Sequence, residues 1–184
     1  VFGAKGYKKA SIADIAERAG VAKGMISYYF GSKKNLYIYL VELGIKIVGE
    51  KLNAHFNEQI TDFFDNIKMT SMIKLEAMKD FPAMLTFFTS MYNERDEDVF
   101  SEVQKYIKQG ISMWDIFFTQ WADGSKFKDE VDMEMISRFV KWTANGLLKE
   151  LEEQNLEKFD DYLGEFFQVL DIIKMAVYKE NSTG

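Results

Sequence analysis

Apolar residues recur along this chain at spacings of three and four, without a sustained alternation of apolar and polar positions, so the pattern predicts helices throughout. The shortest periods lie between Ser11 and Leu36. There Ile12, Ile15, Ala16 and Ala19 mark one buried face, Ser11 stands at the position of an N-cap, and Asp14 falls in the first turn, where the helix dipole favours an anion. Gly20 follows where a helix ends in a left-handed residue, and Val21 supplies the apolar contact that accompanies such an end. A second short helix runs from Ala22 to Phe30, with Met25, Ile26 and Phe30 turned inward and Lys23, Gly24, Ser27 and Tyr28 outward. Two short helices joined by a tight turn form a helix-turn-helix, whose second helix enters the major groove of DNA.

Longer periods fill the rest. A connector helix is predicted from Lys33 to about Asn53, with Leu36, Leu40, Leu43, Ile47 and Val48 on one side. A helix over Ile60 to Asp80 stops before Pro82, since proline disfavours helix in the residue preceding it. Further helices are expected over Ala83 to Tyr92, Val99 to Trp121, Met133 to Glu153 and Asn155 to Tyr178. The acidic run from Glu94 to Asp98 reads as a solvated turn, and Gly124 and Ser125 mark another break. The expected fold class is all-α: a helix-turn-helix domain over residues 1–45, followed by a larger helical domain over residues 46–184.

Charge sharpens this division. Residues 1–40 hold Lys5, Lys8, Lys9, Arg18, Lys23, Lys33 and Lys34 against Asp14 and Glu17, a balance of +5 within a chain of net charge -6. The cations are gathered where a phosphate backbone would lie, while the remainder is acidic.

The order GYKKASIADIAERAGVAKGMISYYFGSKKNLY resembles the DNA-binding domain of TetR-like transcriptional repressors, with its glycine-tyrosine, IA, AGV, YF, SK and L at matching spacings. The resemblance covers about the first 45 residues and implies a first helix extending upstream of Val1. It implies phosphate contacts by Ser11, Tyr29 and Lys33, and base reading by Lys23, Gly24, Ser27 and Tyr28. Ser27 departs from the family, which often has tyrosine there, so a phosphate contact passes to Tyr28 or Tyr29. Ala22 stands where serine or threonine is common.

The family also implies a homodimer on a palindromic double-stranded DNA operator, released by a small ligand. The last two helices carry broad apolar faces suited to such pairing, and Phe139, Trp142, Leu147, Phe166, Phe167, Leu170 and Ile173 are the expected interface. Methionine and aromatic residues of the middle helices are the expected lining of an effector pocket: Met69, Met72, Phe87, Phe88, Met91, Trp114, Phe117, Phe118 and Trp121. Cations are sparse from Phe81 to Trp121, which favours an apolar or weakly polar effector.

The chain has no cysteine, which excludes disulfides and thiolate metal sites. The single histidine, His55, reads as an exposed or capping residue, and GAKG at residues 3–6 lacks the spacing of a phosphate-binding loop. No cofactor and no enzymatic activity are expected, and no apolar run reaches membrane-spanning length, so a cytoplasmic protein is anticipated. The alternative reading is a helical protein-interaction module that does not read DNA sequence.

Overall fold

The computed structural model describes residues 1–55, 60–120, 122–154 and 159–180. Among them are nine α-helices: α1 (Phe2–Lys9), α2 (Ile12–Ala19), α3 (Lys23–Phe30), α4 (Lys33–His55), α5 (Phe63–Asp80), α6 (Ala83–Tyr92), α7 (Glu97–Gln120), α8 (Met133–Gln154) and α9 (Phe159–Val177). No helix among the described residues is long and apolar enough to cross a membrane. The chain divides into two compact units, residues 1–56 with 73–111, and residues 57–72 with 112–184. This grouping differs from a division at residue 45, because α6 and the first half of α7 pack onto α1 and α4 rather than forming part of a separate body.

The first unit is built on Phe2, Tyr7, Leu36, Tyr37, Val41, Met91, Val99 and Val103. Gly6 has φ 71°, a conformation open to glycine and strained for other residues, and it breaks α1 so that Tyr7 turns underneath it. The Tyr7 and Tyr37 rings then meet edge to face with centroids 5.1 Å apart, and Phe2 meets Tyr37 in the same way at 4.9 Å. Helices α1 and α6 cross so closely that a Cβ on Gly3 would lie 2.9 Å from Thr86 Oγ1 and 3.0 Å from the backbone of Phe87. A Cβ on Gly44 of α4 would similarly come within 2.7 Å of the Phe88 ring. Phe87 is half-buried against this core and Met91 is buried within it.

The second unit centres on Phe63, Phe64 and Ile67 of α5, Val140 of α8, and Phe166, Leu170, Ile173 and Val177 of α9. Phe127, midway along the 122–132 loop, and Tyr178, just after α9, pair across an isolated antiparallel bridge with their rings 4.8 Å apart and close this core. Phe166, Leu170 and Ile173 are therefore turned into their own chain's core and do not form the interface surface expected of them. Asp62 holds the start of α5: its Oδ1 accepts the backbone N–H groups of Phe64 at 3.0 Å and Asp65 at 3.1 Å. Its Oδ2 meets Lys174 Nζ at 3.1 Å and Lys126 Nζ at 3.2 Å.

Burial pushes the Asp62 carboxyl up, but the Asp65 N–H and the two ammonium groups outweigh it and hold the group below the ordinary carboxylate value. Such a shift stabilises the fold above the ordinary value, and that stabilisation is lost as pH falls through the lowered one. Asp62→Ala is expected to lower unfolding free energy by about 2 kcal/mol at neutral pH, through loss of the cap and a partly buried pair. Denaturant titrations at descending pH should show the gap from wild type narrowing once the pH passes below about 4.

Tyr37 is fully buried, and its hydroxyl has no hydrogen-bond partner among the described residues. Removing an unsatisfied buried hydroxyl while keeping the ring relieves a desolvation cost. Tyr37→Phe is expected to be neutral or stabilising by up to about 1 kcal/mol; a fall in Tm would show that the hydroxyl is bound.

Candidate nucleic-acid interface

The helix-turn-helix is defined by local hydrogen bonds. Ser11 Oγ accepts the Asp14 N–H at 3.1 Å while Asp14 Oδ2 accepts the Ser11 N–H at 3.2 Å, a reciprocal cap that starts α2. Lys5 Nζ adds an ion pair to Asp14 at 3.0 Å. At the other end Gly20 takes φ 67°, and the Val21 N–H reaches back to the Ala16 carbonyl at 3.0 Å, so the chain reverses in a left-handed C-cap. Helix α3 begins after Ala22 and ends at Gly31, again at positive φ. Ser32 Oγ then caps α4 by accepting the Asn35 N–H at 3.0 Å, and Asn35 Nδ2 donates back to the Phe30 carbonyl. These two short turns set the direction of α3 relative to both neighbours.

Ile26 is buried and Phe30 half-buried, so they form the inner face of α3. Lys23, Gly24, Ser27, Tyr28 and Tyr29 are exposed, and Ser11 is exposed at the head of α2. Tyr28 and Tyr29 are 83% and 71% accessible and brace each other edge to face at 5.3 Å. Two inward assignments need correction. Ala19 is exposed, and Met25 is 49% exposed because it lies about 100° around the helix axis from Ile26, beyond the reach of the core. A helical wheel centred on Ile26 carries that signal; assigning Met25 inward on hydrophobicity alone misses it.

Lys33 does not extend outward from α4. Its Nζ donates to the carbonyls of Tyr7 at 3.0 Å and Ala10 at 3.2 Å, and sits 4.2 Å from the centre of the Tyr7 ring. It bridges the end of α1 to the start of α4, so the phosphate contact expected of it gives way to a structural role. Lys34 pairs with Glu102 at 3.2 Å, while Lys8, Lys9, Arg18 and Lys23 are exposed.

Sequence reasoning also missed Glu94. Rather than a solvated turn residue, it is a buried carboxylate whose Oε2 accepts the Tyr7 N–H at 3.1 Å and whose Oε1 accepts the N–H groups of Arg95 and Asp96 at 2.9 and 2.8 Å. Tyr7 also donates its hydroxyl to Asp98, and burial together with that carboxylate pushes its phenol well above the ordinary range. Ser90 Oγ donates to the Phe2 carbonyl at 3.3 Å. The α6–α7 corner thus grips the helix that precedes the reading unit.

Residues 1–40 match the family model described as bacterial regulatory proteins, tetR family. Over these first 40 residues the chain is TetR-like. Over 50 residues it is 44% identical to the HTH-type transcriptional regulator BetI of Yersinia pestis (strain Pestoides F), a match covering 27% of this chain and 25% of that protein. Over 149 residues it is 25% identical to the HTH-type transcriptional repressor KstR2 of Mycolicibacterium smegmatis, covering 78% and 70%. Its fold resembles that of a TetR family transcriptional regulator from Chloroflexus aurantiacus J-10-fl, with TM-score 0.68, 20% identity and 97% and 88% coverage. The BetI match thus spans only a quarter of that relative's length.

Outside the matched segment the remaining expected residues separate by position. On α8, Phe139 and Trp142 are 47% and 56% exposed, joined by Met135, which the expected interface omits. On α9 the large exposed apolar residues among those described are Ile172 and Met175, while Phe167, like Leu147 of α8, is half-buried against the second core. Of the expected pocket residues, Met69 and Phe88 are half-buried and Met72 is exposed. The side chains of Trp114, Phe117 and Phe118 and the whole of Trp121 lie outside the described residues. A cleft of about 470 Å³ in the first unit is lined by Lys34, Asn35, Ile38, Tyr39, Glu42, Glu102, Lys105, Tyr106 and Gln109, none of them an expected pocket residue. His55 is exposed and bonds through Nδ1 to the Lys51 carbonyl at 2.9 Å, and no metal-ligating cluster occurs among the described residues.

Because Lys33 bridges two helices, Lys33→Met is expected to lower stability by about 1–2 kcal/mol through loss of charge-assisted hydrogen bonds. The slope of DNA affinity against salt should stay unchanged; a slope smaller by about one unit would return Lys33 to the phosphate contacts.

Proposed function

We propose that this chain is a transcription regulator that binds a palindromic double-stranded DNA operator as a homodimer, acts as a repressor, and is released by a small apolar or weakly polar effector. The observation that carries this reading is α3 itself. It is a short helix capped at both neighbours, anchored by Ile26, and open along Lys23, Gly24, Ser27 and Tyr28. Helix N-terminal residues in such a unit meet base edges, while the preceding helix lies across the backbone. Ser11, Tyr29, Lys8 and Lys9 are exposed beside this face and suit phosphate contacts, each neutralised phosphate adding about 0.9 to the salt slope.

Pairing is assigned to the exposed apolar positions of α8 and α9, above all Phe139 and Trp142. Contiguous exposed apolar side chains of this size favour a partner surface, and a two-fold axis would set two α3 helices about 34–36 Å apart, one turn of DNA. Similarity to BetI, a transcriptional regulator, and to KstR2, a transcriptional repressor, supports this reading. The effector class rests on the methionine and aromatic content of α5, α6 and α7 and on the scarcity of cations from Phe81 to Trp121.

The test is a selection from random duplex DNA with the purified chain, followed by fluorescence anisotropy at two salt concentrations. Recovery of an inverted repeat bound by two protomers supports the reading; no enriched sequence favours a helical interaction module instead. The double variant Phe139→Ser, Trp142→Ser should sediment as a monomer and bind the recovered operator at least about 100-fold more weakly, since the second half-site contact loses its effective concentration.

A further inference from the structure

The open face of α3 carries a restricted set of base-reading groups. Its sequence, KGMISYYF, contains no arginine, asparagine, glutamine, aspartate or glutamate. The bidentate pairings that identify adenine, and the carboxylate contact that identifies cytosine, are therefore absent from this helix. Lys23 can donate to guanine, and the hydroxyls of Ser27 and Tyr28 discriminate weakly. Met25 supplies the remaining chemistry. It lies in the first turn, its N–H bonded to the Ala22 carbonyl at 2.9 Å, at the end of the helix that meets base edges. It is 49% exposed, and a Cβ on the adjacent Gly24 would meet nothing within 4 Å, so this part of the first turn lies open.

We infer that Met25 is a specificity-determining residue that reads thymine through its 5-methyl group. An unbranched thioether adapts its rotamer to an apolar target, and the thymine methyl is the apolar mark in the major groove. The inference rests on α3 being the DNA-reading helix, and it adds that each operator half-site holds a thymine opposite the first turn of α3, recognised by burial of its methyl group.

The test starts from the operator recovered by random-sequence selection and replaces each thymine singly by deoxyuridine, which removes the methyl and keeps the pairing. The wild-type chain is expected to lose about fourfold in affinity at one thymine in each half-site, the value of one buried methyl-sized group. In Met25→Ala that penalty should vanish, while Met25→Leu should keep most of it. The half-exposed position leaves the fold intact, and circular dichroism checks this. A wild-type chain indifferent to every deoxyuridine, or an equal penalty in Met25→Ala, overturns the inference while leaving sequence-selective binding in place. A selection that enriches no sequence overturns the reading of α3 itself and the inference with it, and this is seen before any uridine is introduced.

Discussion

Tyr7 is held from every side, and the orientation of the reading unit depends on it. Its N–H is bound by the buried Glu94 carboxylate, its hydroxyl by Asp98, its carbonyl and ring face by the Lys33 ammonium, and its ring edge by Tyr37. Each contact comes from a different part of the first unit: the α6–α7 corner, the start of α7, and both the first residue and the second turn of α4. Buried polar groups matched in this way are costly to disturb singly, because any lost partner leaves a desolvated charge or amide behind. A shift of the α6–α7 corner must therefore act on α1 and α4 together.

The glycines extend the same constraint. Gly6 turns Tyr7 into place, and Gly3 and Gly44 allow α6 to lie close against α1 and α4. Close packing of this kind leaves little room for graded deformation, so a displaced α6 would shift its neighbours as rigid bodies. The reading helix itself contributes little to this core, with Ile26 as its single buried residue. It is directed by the turns at Gly20 and Gly31 and by α2 and α4, which leaves its outer face free for the choice of side chains that read a base sequence.

The second unit follows a different rule. Its aromatic core of Phe63, Phe64, Phe127 and Tyr178 is bounded by an ionic cluster at Asp62, and its α8 and α9 helices keep large apolar residues at the surface. Helices this apolar cannot bury all of their faces within one chain, and the division between core and surface follows position around the helix. Phe166, Leu170 and Ile173 face inward, while Ile172, one residue before Ile173, and Met175, two residues after it, face outward.

Local chemistry was legible in the linear chain. Ser11 with Asp14, Gly20 with Val21, and the proline after Phe81 each act within a few residues, so the first cap, the turn and the bounds of α2 and α6 could be read without knowing what packs where. The same locality made the reading helix and its basic surroundings visible. Long-range partners were not legible. Lys33 and Glu94 look like solvated charges in the sequence, and only tertiary structure brings them onto Tyr7, 26 and 87 residues away. Periodicity likewise identifies an apolar helix without saying which of its faces meets its own core, and this is why Met25 emerged at the surface while Leu170 and Ile173 were buried. Capping is decided by neighbours in sequence, whereas burial is decided by whichever distant helix arrives to exclude water.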